Sequence, residues 1–195
     1  TTDGYDTSSA KIVDMGSDVI LPRNDKTNSG YVLAVRNDTE GTINLPKTGQ
    51  TTSYATGDDG DLQMGVEWPT ERFVDNGDNT ITDTLTGLMW QKGVTSNTYS
   101  FADAIAQCQS LPGASDWRLP NVLEWESLIN YEYGSQEAWL AGHGFSGFSN
   151  PVDQFWTSTT AAYSPVNYRW VLYTNEGLVE SGSLDQYVIA VRSAE

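Results

Sequence analysis

Apolar residues along the 195-residue chain recur at two spacings, one helical and one strand-like. After Asn121, the residues Val122, Trp125, Leu128 and Ile129 keep helical spacing. Pro120 disfavours helix at Leu119, Asn121 is a good N-cap, and Glu124 can reach back to the cap's backbone N–H. The pattern therefore predicts an extended segment that ends at Pro120, then a helix, with Gly134 as its natural stop. A second helix is predicted after Ser100, where Phe101, Ala104, Ile105, Cys108 and Leu111 form one apolar face before Pro112-Gly113 ends it. Arg72-Phe73-Val74-Asp75 and Thr80-Ile81-Thr82-Asp83 flank Asn76-Gly77-Asp78-Asn79, which is a hairpin signature. Leu88-Met89-Trp90, then residues 155–159, 168–174, 178–183 and 187–192, read as further strands of an antiparallel sheet. The predicted class is α+β, with two helices.

The front of the chain has a different texture. Residues 1–9 are small and polar and read as a loose start. Ile12-Val13, Val19-Ile20-Leu21 and the alternating stretch from Tyr31 to Arg36 predict two or three short strands. The Thr-, Gly- and Asp-rich run over residues 37–69 has few apolar anchors and reads as a long surface connection. The expected organisation is a β-rich N-terminal segment over 1–44, a connecting loop over 45–69 and one module over 70–195. Within the connection, Leu45-Pro46-Lys47-Thr48-Gly49 matches a cell-wall sorting signal, but such signals stand near a C-terminus before an apolar tail. Here the whole module follows, so the match reads as a loop of turn formers.

An internal repeat links front and end. Tyr31-Val32-Leu33-Ala34-Val35-Arg36 and Tyr187-Val188-Ile189-Ala190-Val191-Arg192 agree at five of six positions. Each follows a β-like stretch, residues 12–21 and 170–179, so residues 10–36 resemble the closing strands of the module without its body. The bland alternative is that one Val-rich strand resembles another by chance. On the repeat reading, a hairpin with no body must dock, because it is marginal alone in water. Tyr31, Leu33 and Val35 are then the candidate assembly residues, either on the chain's own module or on a neighbour's sheet edge.

Charge narrows the partners. Ten Lys and Arg against 26 Asp and Glu give a formal charge of −16, which repels nucleic acid and anionic lipid. No apolar run approaches the length of a membrane helix, and Thr1 with no signal-like stretch after it suggests a processed or trimmed start. Abundant Thr, Ser, Gly, Asn, Tyr and Trp with few lysines suits a secreted, extracellular or cell-surface β-rich protein. One cysteine, Cys108, excludes an internal disulfide, and its apolar helix face predicts a buried thiol.

Candidate chemistry is sparse. One His and one Cys, with Cys108 on an apolar face and His143 in a Gly-rich stretch, do not suggest a catalytic dyad, and a zinc site lacks soft ligands. Glu124 and Glu126 point to different helix faces, and Asp153 with Asp185 is one pair among many acids, so a glycosidase-like carboxylate pair is not favoured over a solvated acidic surface. Asp75, Asp78 and Asp83, with Asn76 and Asn79, offer the hard oxygen ligands calcium prefers, although Asn and Asp are also the ordinary hairpin residues. Aromatics speak for binding instead: seven Trp and ten Tyr exceed what one small core needs. Trp156 and Trp170 suit strand cores, whereas Trp139 and Tyr163 suit the surface. The long Gly- and Ser-rich stretch over 134–152 is the kind of loop that carries ligands.

Three separated signatures, Leu85-Thr86-Gly87-Leu88-Met89-Trp90-Gln91, then Trp117-Arg118-Leu119-Pro120-Asn121, then Phe155-Trp156-Thr157-Ser158-Thr159, fall in one order. In that order they resemble the C-terminal domain family of the Legionella collagen-like adhesin, over residues 72–192. Arg118-Leu119-Pro120 with Glu124-Trp125-Glu126 is more distantly similar to the formylglycine-generating enzymes, whose copper chemistry needs a cysteine pair this chain lacks. Both resemblances imply a C-type-lectin-like fold. The first implies a secreted or surface module, and it places opposite Cys108 a last-strand cysteine where this chain has Ala190. The sulfated glycans associated with that adhesin call for basic patches that a chain of charge −16 does not supply. The expected function is a non-enzymatic module that binds a glycan or a surface protein through Trp139, His143, Asp153, Tyr163 and Tyr168. The alternative is a structural subunit that assembles into an oligomer or filament through its N-terminal β segment, and calcium is the one cofactor to test.

Overall fold

The computed structural model describes residues 8–14, 19–35, 45–113, 115–148, 154–161, 169–173, 178–182 and 184–194. These residues divide into two compact units. One holds the front of the chain to Trp68 together with Asn130–Gly134, and the other holds Pro69–Ile129 and Ser135 onward.

In the first unit, β1 (Ser9–Asp14) and β2 (Val19–Asp25) pair as an antiparallel hairpin with one irregularity between Ala10 and Ile12. The strand expected over 31–36 is not formed over 31–35, and Arg36 lies outside the described residues. Residues 31–35 lie outside any helix or ladder, and their side chains are exposed. The connecting stretch is more structured than its composition suggests. A short helix, α1 (Asp59–Leu62), is capped by Asp58, whose carboxylate accepts from Asp61 N, and Glu132 accepts the Thr51 and Thr52 N–H groups at 2.8 and 3.0 Å. The sorting-signal look-alike is knit into this fabric. Lys47 N donates to Val66 O, Tyr131 N donates to Thr48 O, and Gly49 sits at φ +87°, where an L side chain is strained and would meet Asn130.

The second unit carries two antiparallel sheets and three helices among the described residues. One sheet runs β3 (Phe73–Asp75), β4 (Thr80–Asp83), β5 (Leu88–Gln91) and β9 (Val191–Ser193), in that order. The other runs β6 (Gln154–Thr160), β7 (Arg169–Tyr173) and β8 (Leu178–Gly182). The first helix, α2 (Phe101–Gln109), starts at the Ser100 cap as the pattern predicts. The next, α3 (Val122–Ser127), carries the complete capping box of Asn121 and Glu124 but stops at Leu128, well short of Gly134. Leu128 and Ile129 are buried from beyond the helix end, so their helical spacing extends past the helix itself.

The count of two helices needs correction. With α1 and a further helix, α4 (Gln136–Gly142), inside the stretch read as a Gly- and Ser-rich loop, the described residues form four. Ser135 caps α4 by accepting from Ala138 N, and Gln136 and Leu140 face inward. A seven-residue helix bracketed by Gly134, Gly142 and Gly144 has too few apolar repeats to stand out from its surroundings.

The closing segment crosses the centre of this unit. Tyr187 N donates to Gln154 O, Val188 exchanges bonds with Thr95, Gln91 N donates to Ala190 O, and Val191 pairs on both its N–H and C=O with Arg118. Val188, Ile189, Ala190 and Val191 are consequently buried in succession, so both faces of the segment are covered. Beside it, Ala104, Cys108, Trp117, Leu119, Trp156 and Val171 complete one core cluster.

A buried ion pair fastens the first sheet. Arg72 reaches Asp83 through Nε to Oδ1 at 3.0 Å and Nη2 to Oδ2 at 2.9 Å, and Nη2 also donates to the Ser127 carbonyl at the end of α3. Asp83 additionally accepts from Leu85 N at 3.0 Å, and both side chains are almost wholly enclosed. Replacing Asp83 by Asn strands a buried guanidinium without its counter-charge, which costs about 3–5 kcal/mol on general precedent. Urea unfolding should show that loss for Asp83→Asn, while Arg72→Met with Asp83→Leu recovers much of it. A loss below about 1 kcal/mol for the single variant would place the pair in a solvated setting.

A second, half-exposed pair holds the start of α3. Arg118 donates through Nη1 and Nη2 to the two Glu124 carboxylate oxygens at 2.7 and 2.6 Å. Burial opposes charge on Glu124, but the Arg118 guanidinium and the Asn121 N–H outweigh it and hold the carboxyl below its ordinary value. A carboxyl depressed in the folded state contributes stability above its unfolded pKa, and that contribution is lost as pH falls through the folded one. Melting temperature should therefore fall on acidification below the ordinary value of 4.5, and Glu124→Gln should flatten that slope while lowering stability at neutral pH. An identical acid slope in the variant contradicts the assignment.

Candidate functional site

Residues 73 and 139–148 bring a string of rings to the surface of the second unit. Trp139 and His143, one turn apart on α4 and at its C-cap, lie with ring centroids 3.7 Å apart, and His143 Nδ1 is 2.8 Å from the Trp139 carbonyl. Phe73, the first residue of β3, meets His143 edge-on at 5.5 Å and Trp139 at 6.4 Å. His143 is exposed, while Trp139 and Phe73 are half-buried.

The patch is continuous with the core. Phe73 contacts buried Phe145 at 5.5 Å, Phe145 contacts Phe148 at 6.5 Å, and Phe148 contacts Phe155 at 5.3 Å. Trp125 follows at 5.2 Å and Trp90 at 5.6 Å beyond it. Each neighbour fixes the next ring's tilt, so the surface rings are held by a packed interior. The Arg72 guanidinium lies 4.6 Å over the Phe73 ring and ties the patch to the buried ion pair. Such a surface offers apolar ring faces beside one imidazole that can donate or accept a hydrogen bond. That chemistry suits sugar C–H faces or apolar side chains.

Of the expected ligand-binding residues, the structure brings together Trp139 and His143, and adds Phe73. Asp153, Tyr163 and Tyr168 lie outside the described residues. Phe73 was legible as a strand residue but not as a partner of Trp139, because the two are separated by the whole helical half of the module. Trp156, read as a strand-core residue, is buried with Nε1 donating to the Tyr99 carbonyl at 2.7 Å, and Trp170 is half-buried.

The three carboxylates expected for calcium are not brought together. Asp83 is enclosed against Arg72, Asp75 pairs with Lys92 and accepts from Gly77 N, and Asp78 accepts from Thr80 N and its hydroxyl. These are the bonds of a hairpin turn, with Gly77 and Asn79 at positive φ. Among the described residues, no group of three or more His, Cys, Asp or Glu is arranged to hold a metal. Nor is any helix among them long and apolar enough to cross a membrane. Tyr31, Leu33 and Val35, the residues expected to serve assembly, are exposed in the first unit, outside any ladder.

Cys108 is free and buried in the same cluster as Ala190, and burial pushes its thiol up to about 12. A thiol held neutral and enclosed is a poor nucleophile. Native protein at neutral pH should react with a thiol reagent far more slowly than unfolded protein, and Cys108→Ala should cost about 1 kcal/mol for the small cavity. Labelling of the native state at the unfolded rate contradicts this placement.

Residues 79–192, more than half of the chain, match the family model described as the Lcl C-terminal domain. No curated protein and no solved structure matches.

Proposed function

The chain belongs to the Lcl C-terminal domain family, and from that membership we infer a secreted or surface-exposed, non-enzymatic module of C-type-lectin-like fold that binds a glycan or a protein ligand. The family is one of adhesin-related domains, which supports a surface role. The observation that carries the binding reading is the Phe73, Trp139 and His143 patch, three rings held at the surface by an aromatic string that runs to Trp90. Flat apolar faces beside an imidazole stack on sugar rings and bind their hydroxyls, and the charge of −16 favours neutral over sulfated glycans.

A second reading, a subunit that assembles with its own copies, is favoured by a separate feature. Tyr31, Val32, Leu33 and Val35 form a run of exposed apolar side chains with no charge among them.

A glycan array followed by titration calorimetry tests the first reading. Specific binding should fall by about tenfold or more in Trp139→Ala, equivalent to about 1.4 kcal/mol, with the fold retained. Binding unchanged by both Trp139→Ala and His143→Ala, or no binding to any glycan or matrix protein, overturns it.

A further inference from the structure

The front hairpin and the end of the module share a plan as well as a sequence. Asp14 pairs with Val19 across residues 15–18, and Tyr173 pairs with Leu178 across residues 174–177, so both hairpins close over connections of equal length. Residues 26–30 then lead to Tyr-Val-Leu-Ala-Val-Arg in the first case, and residues 183–186 lead to Tyr-Val-Ile-Ala-Val-Arg in the second. The fates of the two segments are opposite. Val188, Ile189 and Val191 are 1%, 1% and 0% exposed, whereas Val32, Leu33 and Val35 are 90%, 97% and 96% exposed. Successive apolar residues, without alternation, belong in a strand covered on both faces, and residues 187–191 show that cover.

We propose that residues 31–35 are a donor strand that adds to the edge of β8 that no described residue pairs, in a second copy of this chain, an inference that rests on the self-assembly reading above. Exchange into the closing position of another copy has no driving force. Each exchange would bury one such strand and expose a nearly identical one, with no net gain of buried apolar area. Addition at an edge displaces nothing. Among the described residues, β8 is the edge suited to receive it. It pairs with β7 over five residues without a bulge, it contains neither Pro nor Lys, and its five residues match the length of 31–35. The other edges are blunted: β3 has three residues and ends in the Asp75–Lys92 pair, β9 has three residues and is bridged by Arg118, β1 is irregular at Ala10, β2 contains Pro22, and β6 is covered by Tyr187. On the side of the sheet away from that edge, Phe155, Trp156 and Thr157 are buried in succession, as are Val171 and Leu172, so both faces of the β6–β7 pair are enclosed.

Donor and acceptor are different surfaces of one chain, so the contact is head-to-tail and propagates unless a rotation closes it. Copies of charge −16 repel, and backbone pairing with apolar burial must overcome that repulsion. Assembly should therefore strengthen as salt screens the charge.

The test uses the full-length chain at high ionic strength, with sedimentation velocity over a range of concentrations. The wild-type chain should form concentration-dependent polymers, and Leu33→Asp should be a folded monomer by circular dichroism. In a Cys108→Ala background, Leu33→Cys combined in turn with Val179→Cys, Glu180→Cys and Ser181→Cys should give a covalent ladder on oxidation for at least one register. Polymers without any ladder, or a ladder instead between Ala34→Cys and native Cys108, overturn the β8 placement while leaving self-assembly standing. Polymers that persist in Leu33→Asp overturn the donor strand. A wild-type chain that is monomeric at every concentration overturns the placement and the self-assembly reading together.

Discussion

The module hangs on a guanidinium and a carboxylate taken out of water together. Arg72 immediately precedes β3, Asp83 ends β4, and the Ser127 carbonyl closes α3, so one bidentate contact with one extra acceptor joins the first hairpin to the helix that follows Trp117-Arg118-Leu119-Pro120-Asn121. Enclosing two charges is costly, and the cost is offset in part because Asp83 also accepts a backbone N–H and the guanidinium also donates to a carbonyl. The same guanidinium lies over Phe73. The position of the surface rings thus follows from the way the interior charge is satisfied.

From Phe73 the constraint passes through packed rings. Phe145, Phe148, Phe155, Trp125 and Trp90 form a sequence of edge and tilted contacts that leaves little freedom at the outer end. On the proposed binding reading, a face built this way would meet its ligand already ordered, so little conformational entropy would be lost on association. Residues 31–35 have the opposite character: an exposed apolar segment outside any ladder, whose sequence twin is enclosed at the centre of the module. One chain therefore carries a ring patch held by its core and an exposed apolar segment outside any ladder.

Much of the architecture was legible because local chemistry agreed with the tertiary outcome. The Asn121 and Glu124 capping box, the Ser100 cap and the Asn76-Gly77-Asp78-Asn79 turn each specify their element within a few residues, and the burial of Cys108 follows from its helix face. Failures came where local and non-local forces diverge. Residues 31–36 have strand propensity, but a strand needs a partner, and none among the described residues pairs with 31–35. The α4 helix is too short and too glycine-flanked for periodicity to show. Asp83 looked like a metal ligand because its hairpin supplied other acids, and only the fold reveals that Arg72, eleven residues away, occupies it. In the ring patch, Trp139 and His143 are residues that composition and place single out as ligand-binding candidates, whereas the Phe73 contact crosses the module and no spacing encodes it.

On this account the surface rings belong to the cooperative core rather than to a mobile loop. Native-state hydrogen exchange on the backbone amides of Trp139, His143 and Phe145 tests it most directly, since all three donate within α4 and its cap. Protection approaching that of Trp125 and Val191 is the predicted result. Exchange of those three amides near the unprotected rate, with Trp125 and Val191 still protected, would contradict it.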